Sequence, residues 1–217
     1  MAEQPRIAII GAGGHAKVVY DSLRLSLRKR GGGAVVGFLD DDSRLWGSTV
    51  MGLPVLGPID RIADFAVDAV IIGIGANRTR NRLYEWAKAA GYPFVNAIHP
   101  TAVISEDAAL GEGVAIFGTV VVNPGSVVGN NVILNTGCTV DHDCSIADHV
   151  HIAPGGHLAG GVSVGEGTFV GTGASIIPYR KIGRWSIIGA GGVVLEDIGD
   201  QVTAVGVPAK MIKEHSE

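Results

Sequence analysis

From Ile98 onward an aliphatic side chain returns every six residues: Ile98, Ile104, Leu110, Ile116 and so on through Ile182, Ile188 and Val194, with no insertion. Four residues after each anchor the side chain is usually small or β-branched, as at Ala102, Val120, Ser126, Cys138, Cys144 and Ala174, with Arg180 the clear exception. Directly after the anchor there is often Gly or another turn former, as at Gly111, Asn123, Asp141 and Gly183. A period of six fits neither the 3.6 of an amphipathic helix nor the 2 of a strand. It fits a chain that makes a short strand, turns a corner and regains the same face after three turns. This is the hexapeptide pattern of a parallel β-helix, with coils stacked at about 4.8 Å. A β-sandwich with regular turns would vary its loop lengths.

Before Ile98 the pattern differs. Arg6–Ile10 is a short apolar run, followed by Gly11-Ala-Gly-Gly-His-Ala16. Ala16, Val19, Tyr20, Leu23 and Leu27 then form one stripe of a helix lying on a sheet. Lys29–Gly33 reads as a turn, and 34–39 as a second strand ending at Asp40-Asp41-Asp42. Gly52–Gly57 reads as a short extended piece and Ala69–Ile74 as a buried strand. Gly75-Ala-Asn77 opens a helix with Leu83, Trp86, Ala87 and Ala90 on one face, and Phe94-Val95 makes a last short strand. Alternating strands and helices predict a small parallel sheet, half of a Rossmann unit. The expected division is residues 1–97 as a Rossmann-like domain and 98–217 as the β-helix with a C-terminal tail. With no linker between them, the two are expected to be rigidly joined.

Composition refines this picture. No apolar run approaches the roughly 18 residues of a membrane span. The start, Met1 to Arg6, leads straight into a strand, so no leader peptide is expected and a cytoplasmic protein is. Cys138 and Cys144 both fall on inward positions of the repeat, as buried reduced thiols would. Residues 1–97 carry a net charge of +3 and residues 98–217 one of −7. The acidic repeat has no extended basic face, which argues against nucleic acid. Its cations fall in two clusters, Arg180, Lys181 and Arg184, and Lys210 and Lys213.

Three stretches carry candidate chemistry. The Gly11–Gly14 loop joins a strand to a helix, where backbone amides can approach a phosphate. It lacks the third glycine of a dinucleotide fingerprint, since Ala16 stands there, and it is open to a nucleotide, a nucleotide-sugar or a purely structural turn. Asp40 and Asp41 end the second strand, where a carboxylate can meet a ribose or base or simply be solvated. His15, at the helix start, is placed to contact a phosphate or sugar hydroxyl, or to be an ordinary helix residue. In the repeat, His142, His149, His151 and His157 lie close together in sequence, but their positions in the hexads point in different directions and do not read as a metal site. In Val140-Asp-His-Asp-Cys144 a corner histidine is flanked by carboxylates. It can serve as a general base near neutral pH or be an exposed surface histidine. Asp143 is the better orienter, because Asp141 occupies the turn position.

In order along the chain occur Gly13-Gly-His-Ala-Lys17, Phe38-Leu-Asp-Asp41, Asn96-Ala-Ile-His-Pro100, Asn135-Thr136, Val140-Asp-His-Asp-Cys144, Leu158-Ala-Gly-Gly161 and Ala204-Val-Gly-Val-Pro-Ala-Lys210. Together they resemble the sugar O-/N-acyltransferases of the sialic acid O-acetyltransferase type. Within these they are most like the nucleotide-sugar N-acetyltransferases that act on UDP-4-amino-4,6-dideoxy sugars (the bacillosamine route) or on GDP-perosamine. The resemblance covers essentially the whole chain. It implies a left-handed parallel β-helix assembled as a homotrimer, acetyl-CoA as co-substrate bound between neighbouring helices, and no metal.

By the same resemblance His142 is the catalytic base and Asp143 the carboxylate that raises its basicity. Bacillosamine-type members often carry Glu at the latter position, which leaves the sugar open. His151, Gly160, Thr172 and Ala190 fall where the family binds acetyl-CoA. Gly13, Gly14, His15, Asp40 and Asp41 match the nucleotide-sugar pocket, and Gly75, Asn77 and Asn135 are weaker matches to it. Lys210 and Lys213, or the Arg180 cluster, are expected to meet the CoA phosphates. The implied reaction is direct acetyl transfer from acetyl-CoA to the C4 amine of a nucleotide-linked amino sugar, with O-acetylation of a sugar hydroxyl as the alternative.

Overall fold

The structure, a computed structural model, describes residues 4–215. The extreme ends of the two expected domains, residues 1–3 and 216–217, lie outside the described residues.

The N-terminal half is built on a sheet of β1 (Arg6–Ile10), β2 (Ala34–Leu39), β3 (Thr49–Val50), β4 (Leu53–Gly57) and β5 (Ala69–Ile72), in the order β3-β4-β2-β1-β5. All pairs are parallel except the edge pair β3–β4. That hairpin is not evident in the sequence. Its turn residues Met51 and Gly52 both have positive φ, at 48° and 83°, the geometry that suits a tight hairpin. A methionine at the first position hides the signal. Two 3₁₀ helices, Ser43–Leu45 and Ile59–Phe65, also escaped the sequence reading.

Helix α1 (Gly14–Arg30) buries Ala16, Val19 and Leu23 and half-buries Tyr20 and Leu27, the stripe expected of it. It runs further than the sequence suggested, through Lys29 and Arg30. It stops at Gly31, whose φ of 74° lets its N–H donate back to the Leu27 carbonyl at 2.9 Å, the usual glycine ending. Strand β5 ends at Ile72, two residues early, because Gly73 lies against α1. A side chain there would collide with Ala16 and Ile9. Helix α2 (Asn77–Ala89) buries Leu83 and Ala87 and half-buries Trp86, while Ala90 lies exposed past its end. Arg80 and Tyr84, which the sequence analysis did not count on that face, are buried to 1% exposure each. Phe94 makes a single parallel bridge to Val70.

From Ala97 a two-residue strand recurs every six residues through Val193–Val194. Each strand pairs in parallel with those eighteen residues away, as Val121 does with Val103 and with Thr139. Three flat faces result. The first stacks Val103, Val121, Thr139, His157, Ser175 and Val193; the second Ala109, Val127, Ser145, Ser163 and Lys181; the third Ala97, Ala115, Ile133, His151, Phe169 and Ile187. The third face is extended by Val202–Val205 and the antiparallel Lys210–Glu214. The anchors and the small residues between them form one interior column, from Val114 and Ile116 to Ile188 and Val194. Cys138 and Cys144 sit in it as buried free thiols.

The turns refine the sequence reading in one respect. The residue needing a left-handed backbone is not the one after the anchor but the third after it, from Gly113 to Gly191 at every sixth position. Glycine adopts this conformation without strain. Thr119, Asn131, Asp143, His149, Tyr179 and Trp185 nevertheless occupy it.

The N-terminal sheet and α1 pack on the third face. A single apolar cluster runs from Ile7, Val19, Phe38 and Ile71 into Ala97, Ala115, Phe117 and Ile133. The corner between the first and second faces is therefore the edge of the prism opposite the attached sheet.

Candidate active site

His142 stands on that opposite corner, 52% exposed at its side chain. The backbone sets it there: Asp141 Oδ1 accepts the His142 N–H at 2.8 Å, and Asp141 is held in turn by Asn123. Asp143, in the left-handed position with φ 59°, folds back so that its Oδ2 meets His142 Nδ1 at 2.8 Å. A carboxylate only accepts, so Nδ1 carries the proton and Nε2 is left with its lone pair. The Asp143 hydrogen bond, with the charges of Asp141 and Asp143, raises the His142 pKa above its ordinary 6.5. One coil further, Gly160 lies directly beneath the ring, and any side chain there would strike Nε2. The Gly160 carbonyl accepts from Tyr179 N–H and the Gly161 N–H donates to the His142 carbonyl. The Gly160 N–H donates to no acceptor among the described residues. The corner thus joins a basic nitrogen, an orienting carboxylate and an unspent amide donor.

The expected residues His151, Asn135, Gly75, Asn77 and His15 meet elsewhere, at the seam between the two halves. His151 is 7% exposed on the third face. Its Nδ1 approaches the Gly75 carbonyl at 3.3 Å, and Asn135 Nδ2 donates to Nε2 at 3.1 Å. These bonds define a neutral imidazole. Burial first, then Arg80 and His15, push its pKa down to about 3. His15 packs 5.3 Å from the Phe117 ring and 5.9 Å from that of His151. Burial and the Arg80 charge lower its pKa to about 4, and its Nε2 is buried with no hydrogen-bond partner among the described residues. The Asn77 amide is committed to the Gly167 and Thr168 carbonyls, and its oxygen accepts from Arg80. Arg80, missed in the sequence, ties the seam together: its guanidinium donates to the carbonyls of Gly75, Asn131 and His149 as well as to Asn77. No carboxylate pairs with it among the described residues, and burial lowers its pKa to about 9.

The acidic end of β2 divides its labour. Asp40 accepts the backbone N–H groups of Ala12 and Asp42, and so fixes the glycine loop. Gly13 and Gly14 lie exposed in that loop, with open space where a side chain would begin. Asp41 spends one oxygen on the Ile59 N–H. It lines a cavity of about 560 Å³ with Trp46, Ile59, Asp60, Arg82 and Trp86. Trp46 is anchored there through an indole hydrogen bond to the Asp40 carbonyl at 2.7 Å. These tryptophans are the signal the sequence reading passed over: two indoles near an acidic strand end suit a flat aromatic ligand.

The remaining acetyl-CoA candidates fall on the β-helix at other places. Thr172 and Ala190 are exposed on the corner between the third and first faces, so the first face lies between them and the His142 corner. Lys210, on the C-terminal strand, approaches Glu196 at 3.4 Å. Arg180 and Arg184 face Asp197 and Asp200. Among the described residues no group of His, Cys, Asp or Glu is placed to hold a metal ion, and no helix is long and apolar enough to cross a membrane.

Residues 6–87 match the model of the PglD N-terminal domain. Among curated proteins no match is found. Among solved structures, the chain is 43% identical to perosamine N-acetyltransferase from Caulobacter crescentus, over 96% of this chain and 97% of that one, with a TM-score of 0.88. That enzyme was crystallised with CoA and GDP-perosamine, in variants replacing one histidine by asparagine or by alanine. The acetyltransferase domain of PglB from Neisseria gonorrhoeae, in complex with acetyl coenzyme A, is 37% identical over 96% of this chain and all of that one, with a TM-score of 0.87. WeeI from Acinetobacter baumannii is 29% identical over 95% and 99% of the two chains, with a TM-score of 0.84. With its PglD-type domain joined to a left-handed parallel β-helix, the chain belongs to the nucleotide-sugar N-acetyltransferase family and is an acetyltransferase.

Proposed function

We propose that the protein transfers the acetyl group of acetyl-CoA to the C4 amine of a nucleotide-linked 4-amino-4,6-dideoxy sugar, with His142 as general base. The observation that carries this reading is the His142 corner, where Nε2 keeps its lone pair beside the free Gly160 amide. The sugar amine attacks the thioester carbonyl and His142 takes a proton from it as the C–N bond forms. Asp143 stabilises the imidazolium. The Gly160 N–H donates to the oxyanion of the tetrahedral intermediate. As the intermediate collapses, the C–S bond breaks and the departing CoA sulfur takes the proton from His142. No covalent acyl-enzyme is needed, and Cys144, inward and with its thiol pKa raised by burial, takes no part.

The nucleotide binds at the C-terminal end of the N-terminal sheet, its base in the Trp46–Trp86 cavity and its phosphates toward Gly13 and Gly14. That pocket is on the side of the molecule away from the His142 corner of the same chain. The complete site therefore lies between subunits of a homotrimer, one giving the nucleotide pocket and another His142. His151, Thr172, Ala190 and Lys210 contribute to acetyl-CoA binding in the same assembly. Acetyl-CoA and sugar nucleotides are cytoplasmic metabolites, and the protein acts there.

Thiol release from acetyl-CoA is measured with UDP-, GDP- and dTDP-linked 4-amino-4,6-dideoxy sugars, beginning with GDP-perosamine, and with sialic acid as the hydroxyl control. Turnover of one amino sugar, lowered about 10²–10⁴-fold in His142→Ala, is expected. Turnover of sialic acid alone would overturn the assignment to N-acetylation.

A further inference from the structure

Along the His142 corner, one position bears a side chain that neither the fold nor the chemistry above uses. The turn Ile177-Pro178-Tyr179 lies one coil beyond Ala159-Gly160-Gly161, which itself lies one coil beyond Asp141-His142-Asp143. Tyr179 N–H donates to the Gly160 carbonyl at 2.9 Å, so its backbone is locked to the residue beneath His142. Its ring lies back over Gly161, where a side chain would collide with it. His142 and Tyr179 thus lean on the same pair of glycines from opposite sides.

Tyr179 holds a left-handed backbone with φ 59°, a conformation unfavourable for an aromatic residue and free of strain for glycine. At the corners of the β-helix, the other side chains that accept this strain have visible partners. Thr119 Oγ1 donates to the Gly118 carbonyl. Asn131 contacts Arg80 and His149, Asp143 holds His142, His149 packs on Tyr84, and Trp185 lies under Arg78. Tyr179 is 69% exposed, and its hydroxyl has no hydrogen-bond partner among the described residues. Ile177 beside it is 37% exposed, and Pro178 offers no N–H. The result is a largely apolar wall along the His142 corner, with the Arg180 guanidinium donating to the Pro178 carbonyl at its edge.

We propose that Tyr179 is an acyl-donor contact: its ring packs against the methylene-rich pantetheine arm of acetyl-CoA and steers the thioester to His142. The proposal rests on the acetyl-CoA reading of this corner and adds to it the residue that sets the position of the donor. The contact is made by the ring and not by the hydroxyl.

The test is calorimetric titration of CoA into the full-length protein and its Tyr179→Gly and Tyr179→Phe variants, with their melting temperatures and solution masses. Tyr179→Gly is expected to weaken CoA binding at least tenfold while the melting temperature holds or rises by about 2 °C, since glycine relieves the turn. Tyr179→Phe is expected to bind as the parent does. Unchanged CoA affinity in Tyr179→Gly overturns the proposal and leaves the acetyltransferase reading standing. So does loss of affinity accompanied by a lower melting temperature or by dissociation of the assembly, which would make Tyr179 a structural or interface residue. Failure of the parent protein to bind CoA overturns both.

Discussion

At the scale of single residues, the arrangement around His142 makes its basicity depend on one neighbour. The Asp143 hydrogen bond holds the His142 pKa above 6.5, and in the proposed mechanism the base works only when neutral. Activity therefore falls as pH drops through that raised value. Asp143→Asn removes the carboxylate, so the acid limb of kcat/KM moves to lower pH, while the plateau drops about 10- to 100-fold as the ring loses its orientation. A pH–rate profile of the two proteins checks both effects. Gly160→Ala tests the space beneath the ring. Its methyl group would strike Nε2, and the exposed imidazole would swing aside at little cost to folding. The expected result is a loss of kcat of at least about 100-fold with the melting temperature nearly unchanged.

The sequence was most legible where one residue speaks for itself. His142 between two aspartates was readable because the corner follows from the six-residue phase. Asp143 does meet the ring, but from the left-handed turn position that the sequence analysis had given to Asp141. The role of the αL position was not readable. Glycines recur both one and three residues after the anchor, and only backbone angles separate them. Trp46 and Trp86 were overlooked as a pair because forty residues separate them, and only the fold brings the loop after β2 and helix α2 to one cavity.

At the scale of elements, α2 is fastened to the β-helix by a buried cation that has no counter-ion among the described residues. Arg80 replaces water by carbonyl oxygens on both sides of the seam. Arg80→Met would leave the Asn131 and His149 carbonyls unpaired inside the protein. A loss of about 3 kcal/mol is expected, lowering the melting temperature by roughly 10 °C, as calorimetry would register. Arg80 stands three residues before Leu83 and seven before Ala87, on the buried stripe of α2, but the sequence analysis counted only apolar residues on that face and so passed over an arginine.

The same seam makes the fold sensitive to acid. His15 and His151 have folded pKa values of about 4 and about 3, against an ordinary 6.5. Between pH 6.5 and about 4 the unfolded chain binds protons at these sites and the folded chain does not. Stability is thus complete above pH 6.5 and declines as pH falls through this window, by about 3 kcal/mol for His15 alone. Urea midpoints measured from pH 7 to pH 4 should fall accordingly, and His15→Phe should flatten the slope.

At the scale of the whole molecule, the attached sheet and the His142 corner lie on opposite sides of the prism. A site shared between copies has a definite signature. His142→Ala supplies an intact nucleotide pocket, and Trp86→Ala supplies an intact base. Each alone is expected to be nearly inactive. Co-refolded in equal amounts, they should recover a measurable fraction of parental turnover, because some shared sites draw both intact parts. No recovery in mixed assemblies, with their formation verified by mass, would place the whole reaction within one chain.

The uninterrupted repeat also dictates how a chain of this kind can change its length. The wall between Ile98 and Val194 has no slack loop to absorb an extra residue. One added residue would carry every later anchor from the interior to the surface, and six would hand each later side chain to the next face. Only a whole circuit of eighteen returns every group to its own ladder. Length in this half of the molecule is therefore quantised, and the reach from His142 to the C-terminal strand can vary only in steps of one coil, about 4.8 Å.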